Sequence, residues 1–199
     1  MIKAIYKENY KKYHGKKPIK VCIPVNLKKY FKSTTISNFF SYITLEANLE
    51  NEEFEDFDKI IEFVKSDFKN RLTEEEITKT MSANVKWGNN ILVKLIPLLL
   101  KNIILKISYM EIRKYTTTTL SNVGRVSVLP EYKKYIDKFL FLLAPEPVEK
   151  IKCAACSYEN KLIFTFTSIL EDVSIEKAFF KHLQEQGIDV EIKGNGAEL

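Results

Sequence analysis

The stretch that most limits how this chain can fold is "NNILVKLIPLLLKNIILKISYM", residues 89–110. It is the most apolar part of the 199-residue sequence, but Lys94, Lys101 and Lys106 interrupt it and Pro97 breaks it. A membrane-spanning helix needs about 20 consecutive apolar residues. We therefore predict two consecutive helices with a kink near Pro97, which are buried or cover an apolar surface. A position on a membrane surface is the alternative, and we do not expect it.

Composition and charge are those of a globular protein. Hydrophobic residues make up 45% of the chain and charged residues 29%, and the net charge is +5 with lysines concentrated near the start. A basic opening can bind nucleic acid, a membrane surface or a phosphorylated cofactor. No cluster of arginines and no nucleic-acid-binding motif accompanies it, so we interpret it as a solvated helix and turn and expect no nucleic-acid partner.

The cysteines and histidines form none of the familiar catalytic or metal motifs. Three cysteines without a signal peptide fit a reducing cytoplasm. Cys153 and Cys156 have redox or zinc spacing, but zinc needs two more ligands and a redox pair needs a helix N-terminus. Their surroundings predict strand, turn and strand, so we expect small buried strand residues and no metal site. His14 and His182 lie outside any catalytic motif, and we interpret both as structural.

Hydrophobic periodicity predicts an α/β (α+β) fold, a mixed β-sheet with helices packed on it, in a single domain over residues 1–199. Amphipathic helical spacing covers 2–14 and the region from Phe54 to Phe68, and Thr73 begins a capping box for a helix over 74–86. The other predicted elements are strands at 19–25, 39–49, 138–143, 149–157, 160–168 and 188–192, a helical turn at 130–135, and a helix at 175–186 capped by Ser174 and ended by Gly187.

Two polar loops carry the candidate chemistry. One is "IPVNLKKYF", residues 23–31, followed by "SNFF", residues 37–40, and the other is "TTLSNVGRV", residues 118–126. Each places an asparagine and hydroxyls at the end of an apolar strand, where such groups can donate to a developing oxyanion. The alternative is that they only close turns and that Gly124 supplies a positive φ. Local chemistry alone favours the turns.

In their order and spacing, the two loops resemble the C-terminal half of the coenzyme-A-dependent acyltransferase superfamily. Its members include chloramphenicol acetyltransferase, condensation domains of nonribosomal peptide synthetases and alcohol acetyltransferases. The resemblance rests on "PVNLK" at residues 24–28, Asn38-Phe39, and "SNVG" at residues 121–124, and the order of elements agrees across nearly the whole chain. The fold that it implies is the C-terminal subdomain of a chloramphenicol-acetyltransferase-like protein.

The resemblance implies transfer of an acyl group from a coenzyme A or carrier thioester to an alcohol or amine, with no permanently bound cofactor. It implies that residues 118–122 line a tunnel between two halves, with Thr118, Thr119, Ser121 and Asn122 as tunnel or oxyanion candidates. Asn26, Asn38 and Gly124 would support the tunnel. Lys28 stands where the family often has arginine, which weakens a bidentate role there.

The sequence lacks the superfamily's H-H-x-x-x-D motif, whose second histidine is the general base. We therefore expect this chain to be inactive alone, with no catalytic residue of its own. Its expected partner is the N-terminal half, in cis or in trans, and a homodimer through the exposed half-domain surface is a further expectation. The alternative function is a non-catalytic protein-interaction domain that keeps the fold without the chemistry.

Overall fold

A computed structural model describes residues 1–10, 18–48, 56–113 and 116–195. Within these ranges five strands form one mixed sheet: β1 (Ile19–Asn26), β2 (Phe40–Ala47), β3 (Thr118–Arg125), β4 (Ile151–Tyr158) and β5 (Lys161–Ser168). Their order is β2-β1-β3-β4-β5, and the two outer pairs are antiparallel whereas β1, β3 and β4 run parallel. The predicted mixed sheet with helices is confirmed at this level.

Seven α-helices accompany the sheet in the described parts of the chain. They are α1 (Ile2–Ile5), α2 (Phe57–Arg71), α3 (Glu74–Asn89), α4 (Ile91–Leu95), α5 (Leu98–Arg113), α6 (Pro130–Lys133) and α7 (Ser174–Glu185). A π-helical turn, Tyr6–Tyr10, continues α1, and a 3-10 turn, Leu27–Lys29, follows β1. The predicted break near Pro97 is confirmed, because α4 ends at Leu95 and α5 begins at Leu98.

Strand alternation gives the sheet two differently covered faces. We call the side that carries Val21, Leu45 and Leu120 the helical face, since α1, α2 and α7 pack over it. The apolar core lies there, and Val21 and Leu45 are almost completely buried. We call the other side, which carries Thr119 and Lys152, the segment face. It is covered over β4 and β5 by the stretch 138–149.

Two predicted strands do not form. Residues 138–143 are extended and alternate between half-buried and exposed, but they join no strand ladder. Instead, the carbonyls of Phe139, Phe141 and Leu143 accept hydrogen bonds from side chains of β4 and β5. Residues 188–192 also lack strand pairing. In both places the alternating pattern is real, but no described backbone partner lies beside it.

The helix ends agree with the predictions in two cases and not in a third. The hydroxyl of Thr73 accepts from the Glu76 N–H at 3.2 Å, and Gly187 has the positive φ of +76° that commonly ends a helix. The predicted cap by Ser174 is wrong, because Ser174 is itself the first helical residue. The carboxylate of Asp172 instead accepts from the Ser174 N–H at 2.9 Å.

Candidate functional site

A largely apolar cavity of about 800 Å³ lies between the helical face and the helices that cover it. Its floor is the sheet, through Val21, Ile23 and Leu120 among others. Its walls come from α1, α2 and α7, through residues such as Ile60 and Phe179. Ligand cavities of folded proteins typically have volumes of about 300–1,000 Å³ and mostly apolar walls. The cavity is therefore large enough for a small molecule with a substantial apolar part.

His182 is the titratable ring in the wall of this cavity. It lies on α7, and its ring meets the Phe57 ring edge-on with 4.6 Å between centroids. Its Nδ1 is 3.9 Å from a carboxylate oxygen of Glu185, and its buried Nε2 has no hydrogen-bond partner in the described parts of the chain. Burial first, and the charge of Lys3 second, lower the pKa of His182. The ring is thus a neutral imidazole near pH 7, and its Nε2 is left without a hydrogen bond from the described residues.

The same cavity has a basic rim. Lys3, Lys7, Lys65 and Lys181 contribute to its lining, and Glu185 is the acidic residue among the lining groups. Lys7, Lys65 and Lys181 are exposed, whereas Lys3 is half-buried, with its ammonium 5.3 Å from the centre of the Phe57 ring. An apolar interior with ammonium groups at its mouth suits a ligand that has an apolar tail and an anionic end.

The segment face carries a buried polar cluster. Thr119 donates a hydrogen bond to Glu149, whose side chain is fully buried. The Lys152 ammonium, also nearly buried, lies 2.8 Å from Glu146 and 3.4 Å from Glu149, and the Tyr109 hydroxyl donates to Glu146 at 2.7 Å. Because both carboxylates meet the same ammonium, the cluster fastens residues 146–149 to the sheet and α5 to residue 146.

The four tunnel candidates do not share one surface. Alternation along β3 puts Thr118 and Asn122 on the helical face, with Thr119 and Ser121 on the segment face. Thr118 is fully buried and donates to the Ile151 carbonyl at 2.8 Å, and the hydroxyl proton of Thr119 is engaged by Glu149. Ser121 is half-buried, and the structure gives its hydroxyl no hydrogen bond within the described ranges.

The asparagines and the glycine of the two loops have turn geometry. The Asn122 side chain accepts from the Gly124 N–H at 2.8 Å, where the β3–β4 register shifts and Gly124 has a φ of +82°. Asn26 likewise accepts from the Lys28 N–H at 3.0 Å and begins a 3-10 turn. Asn38 is exposed in the loop before β2. These contacts account for the positions of Asn26, Asn122 and Gly124 without a ligand.

The prediction that Cys153 and Cys156 are buried strand residues is confirmed. Cys153 and Cys156 are buried residues of β4, unbonded to each other. The Cys156 thiol donates to the Phe139 carbonyl at 3.3 Å, and burial raises the pKa of the Cys153 thiol to about 12. Among the residues that the structure describes, no group of three or more metal-ligating side chains could hold a metal ion, and no helix is long and apolar enough to cross a bilayer.

The cavity and the ion cluster are the features that sequence reasoning missed. The cavity is built by residues from both ends of the chain, so no local motif marks it. His182 was interpreted as structural, whereas it lines this cavity; His14 lies outside the described residues. The one available signal was the place of His182 beside Phe179 and Leu183 on an amphipathic helix.

No protein-family model, curated protein or solved structure matches this sequence.

Proposed function

We propose that this chain binds the acyl group of a thioester of coenzyme A or of a carrier, as the C-terminal part of an acyltransferase. The observation that carries the proposal is the apolar cavity of about 800 Å³ with lysines at its mouth. An acyl chain would occupy the apolar interior, and the phosphates of the donor would meet the ammonium groups. The resemblance of "PVNLK" and "SNVG" to the acyltransferase superfamily supports the same class of ligand.

Within this proposal, no hydroxyl of β3 is placed to stabilise an oxyanion, because Ser121 lies on the segment face, opposite the face that lines the cavity. The hydroxyls of Thr118 and Thr119 are both engaged as donors within the protein. The general base of the acyltransferases is missing from this chain, so acyl transfer would require the N-terminal half. We expect the chain alone to release no coenzyme A from an acyl thioester above background, while it still binds the thioester.

Calorimetric titration with octanoyl-, dodecanoyl- and palmitoyl-coenzyme A tests the proposal. Each additional CH₂ contributes roughly 0.8 kcal/mol when buried, or about a fourfold gain in affinity, until the cavity is full. Coenzyme A itself should bind weakly and the acyl-coenzyme A series progressively more tightly. Equal affinity for coenzyme A and for every acyl derivative would show that the apolar cavity is not the binding site.

A matched pair of variants on α7 locates the site. Lys181→Glu reverses a charge in the lining, whereas Lys177→Glu reverses an exposed charge one turn earlier on the same helix. We expect the first to weaken palmitoyl-coenzyme A binding clearly and the second to leave it close to that of the unmodified protein. Equal effects would indicate general electrostatic attraction rather than a site at this rim.

A second candidate function is a protein-interaction domain without chemistry. It is favoured by a different observation, the many apolar side chains that α4 and α5 leave exposed. Surfaces of this kind are uncommon on proteins that act as monomers.

A further inference from the structure

One of the lysines that line the cavity differs from the others in its surroundings. Lys7, Lys65 and Lys181 are exposed, so their ammonium groups stay in water, whereas Lys3 is half-buried in the wall. Within the described ranges, none of these four lysines is paired with a carboxylate. A partly desolvated cation beside an apolar space is unfavourable until an anion pairs with it, so Lys3 is the lysine that gains most from an anionic ligand.

The Phe57 ring fixes the place of this cation in the cavity wall. The Lys3 ammonium lies 5.3 Å from the centre of the ring, and the His182 ring meets the same ring edge-on with 4.6 Å between centroids. A cation–π contact of this length holds an ammonium group in position without neutralising its charge. Because the lowered pKa of His182 keeps the imidazole neutral near pH 7, the positive charge beside Phe57 is that of Lys3.

We infer that the cavity binds a free fatty acid, whose carboxylate pairs with the ammonium group of Lys3 while its alkyl chain lies against the apolar walls. A carboxylate is a single compact charge, which one ammonium group can pair. The carbonyl of a thioester is neutral and would leave the charge of Lys3 unpaired. The inference rests on the proposed function, because the acyl chains of the acid and of the thioester would occupy the same cavity.

Calorimetric titration of the full chain with decanoate and with 1-decanol tests the inference. The two ligands have the same alkyl chain, and only decanoate carries a charge near pH 7. We expect the unmodified chain to bind decanoate about tenfold or more tightly than decanol, because only the carboxylate can pair with Lys3. Equal or weaker binding of decanoate, or binding of neither ligand, would overturn the inference. This comparison does not depend on the folding of any variant.

Two variants locate the carboxylate within the cavity. Lys3→Met keeps an unbranched apolar stem beside Phe57 and removes the charge, so it should lose the preference for decanoate and bind decanol as before. Lys65→Met is the matched control, because it removes an exposed charge from the lining of the same cavity and should keep the preference. A preference that survives in Lys3→Met, or that Lys65→Met reduces equally, would contradict pairing at Lys3.

Titration with decanoyl-coenzyme A separates this inference from the proposed function. Tight binding of the thioester without a preference for decanoate over decanol would support the proposed function and overturn the inference. A preference for decanoate that Lys3→Met abolishes, without any binding of the thioester, would do the reverse. Where both ligands bind, decanoate should displace decanoyl-coenzyme A competitively, and simultaneous binding of the two would contradict a shared cavity.

Discussion

The two faces of the sheet are closed in different ways. The helical face is covered by helices that meet it through apolar side chains and leave a cavity of about 800 Å³. The segment face, over β4 and β5, is covered by a single extended stretch. Hydrogen bonds hold this stretch, and the carboxylates of its residues Glu146 and Glu149 both pair with the ammonium of Lys152. Directional polar contacts fix one covering in place, whereas apolar helix packing leaves room for a ligand on the other side.

The largest expected effect comes from breaking the polar covering. Lys152→Met removes the ammonium that Glu146 and Glu149 share and leaves a buried carboxylate without its counter-ion. Loss of one partner from a buried ion pair typically costs about 3–5 kcal/mol. We therefore expect a loss of this size in the free energy of unfolding, measured by urea denaturation.

The matched control is Lys161→Met, which breaks the exposed pair between Lys161 and Asp137 at 2.6 Å. Exposed ion pairs contribute little, so this variant should unfold close to the unmodified protein. If both variants lost the same stability, the cluster on the segment face would be no more tightly held than a surface pair, and the contrast between the faces would disappear.

On the helical face we expect a smaller change in the free energy of unfolding, and this change is a gain in stability. His182→Phe keeps the edge contact with Phe57 and removes the buried nitrogen that has no partner among the described residues. An unsatisfied buried polar group costs about 1 kcal/mol or more, so the variant should be more stable by about 1 kcal/mol at neutral pH.

The pH dependence of this difference follows from the lowered pKa of His182. The folded state binds the proton more weakly than the unfolded state, so the unmodified protein is most stable above the unfolded pKa of about 6.5 and loses stability as the pH falls through that value. The advantage of His182→Phe should therefore widen on acidification in urea titrations. A less stable variant with no pH dependence would mean that Nε2 is satisfied by solvent.

The smallest test leaves the fold intact and compares the cysteines. Cys22 is half-buried on the segment face, whereas Cys153 is buried, which raises the pKa of its thiol to about 12. A thiol-specific reagent should modify Cys22 first, and Cys22→Ser should abolish the fast phase. Fast modification of Cys153 in the native protein would mean that the helical face opens readily.

The sequence predicted those elements whose pattern is local. β1 and the break at Pro97 follow from a continuous apolar run and from a missing backbone donor, and both are confirmed. The stretch 138–143 has the alternation of a strand, but alternation reports only that Phe139 and Phe141 face the protein. Whether the backbone of this stretch also pairs with a neighbouring strand depends on residues far away in the sequence. Here its carbonyls accept hydrogen bonds from side chains instead.

The candidate site was less predictable for the same reason. Polar residues at strand ends were visible in "SNVG", and the structure gives Asn122 and Gly124 the turn contacts that local chemistry favoured. The cavity is different, because its wall joins the first residues of the chain to α7 near the other end. The burial of Lys152 could not be predicted from the sequence either, because a lysine inside an apolar strand pattern is normally exposed. Only the fold brings two glutamates to it.

The placement of β3 has a consequence for how the chain folds. β1 with β2, and β4 with β5, are antiparallel neighbours that can pair early because little chain separates them. β3 lies between these two pairs, and Thr117, directly before β3, accepts a hydrogen bond from Lys20 of β1 across 97 residues. Closing so long a loop is slow, so we expect the contact between β3 and β1 to form last and to unite the β1–β2 hairpin with β3, β4 and β5. Thr118 and Thr119 would then gain their neighbours on β1, Val21 and Cys22, only in the closing step of folding.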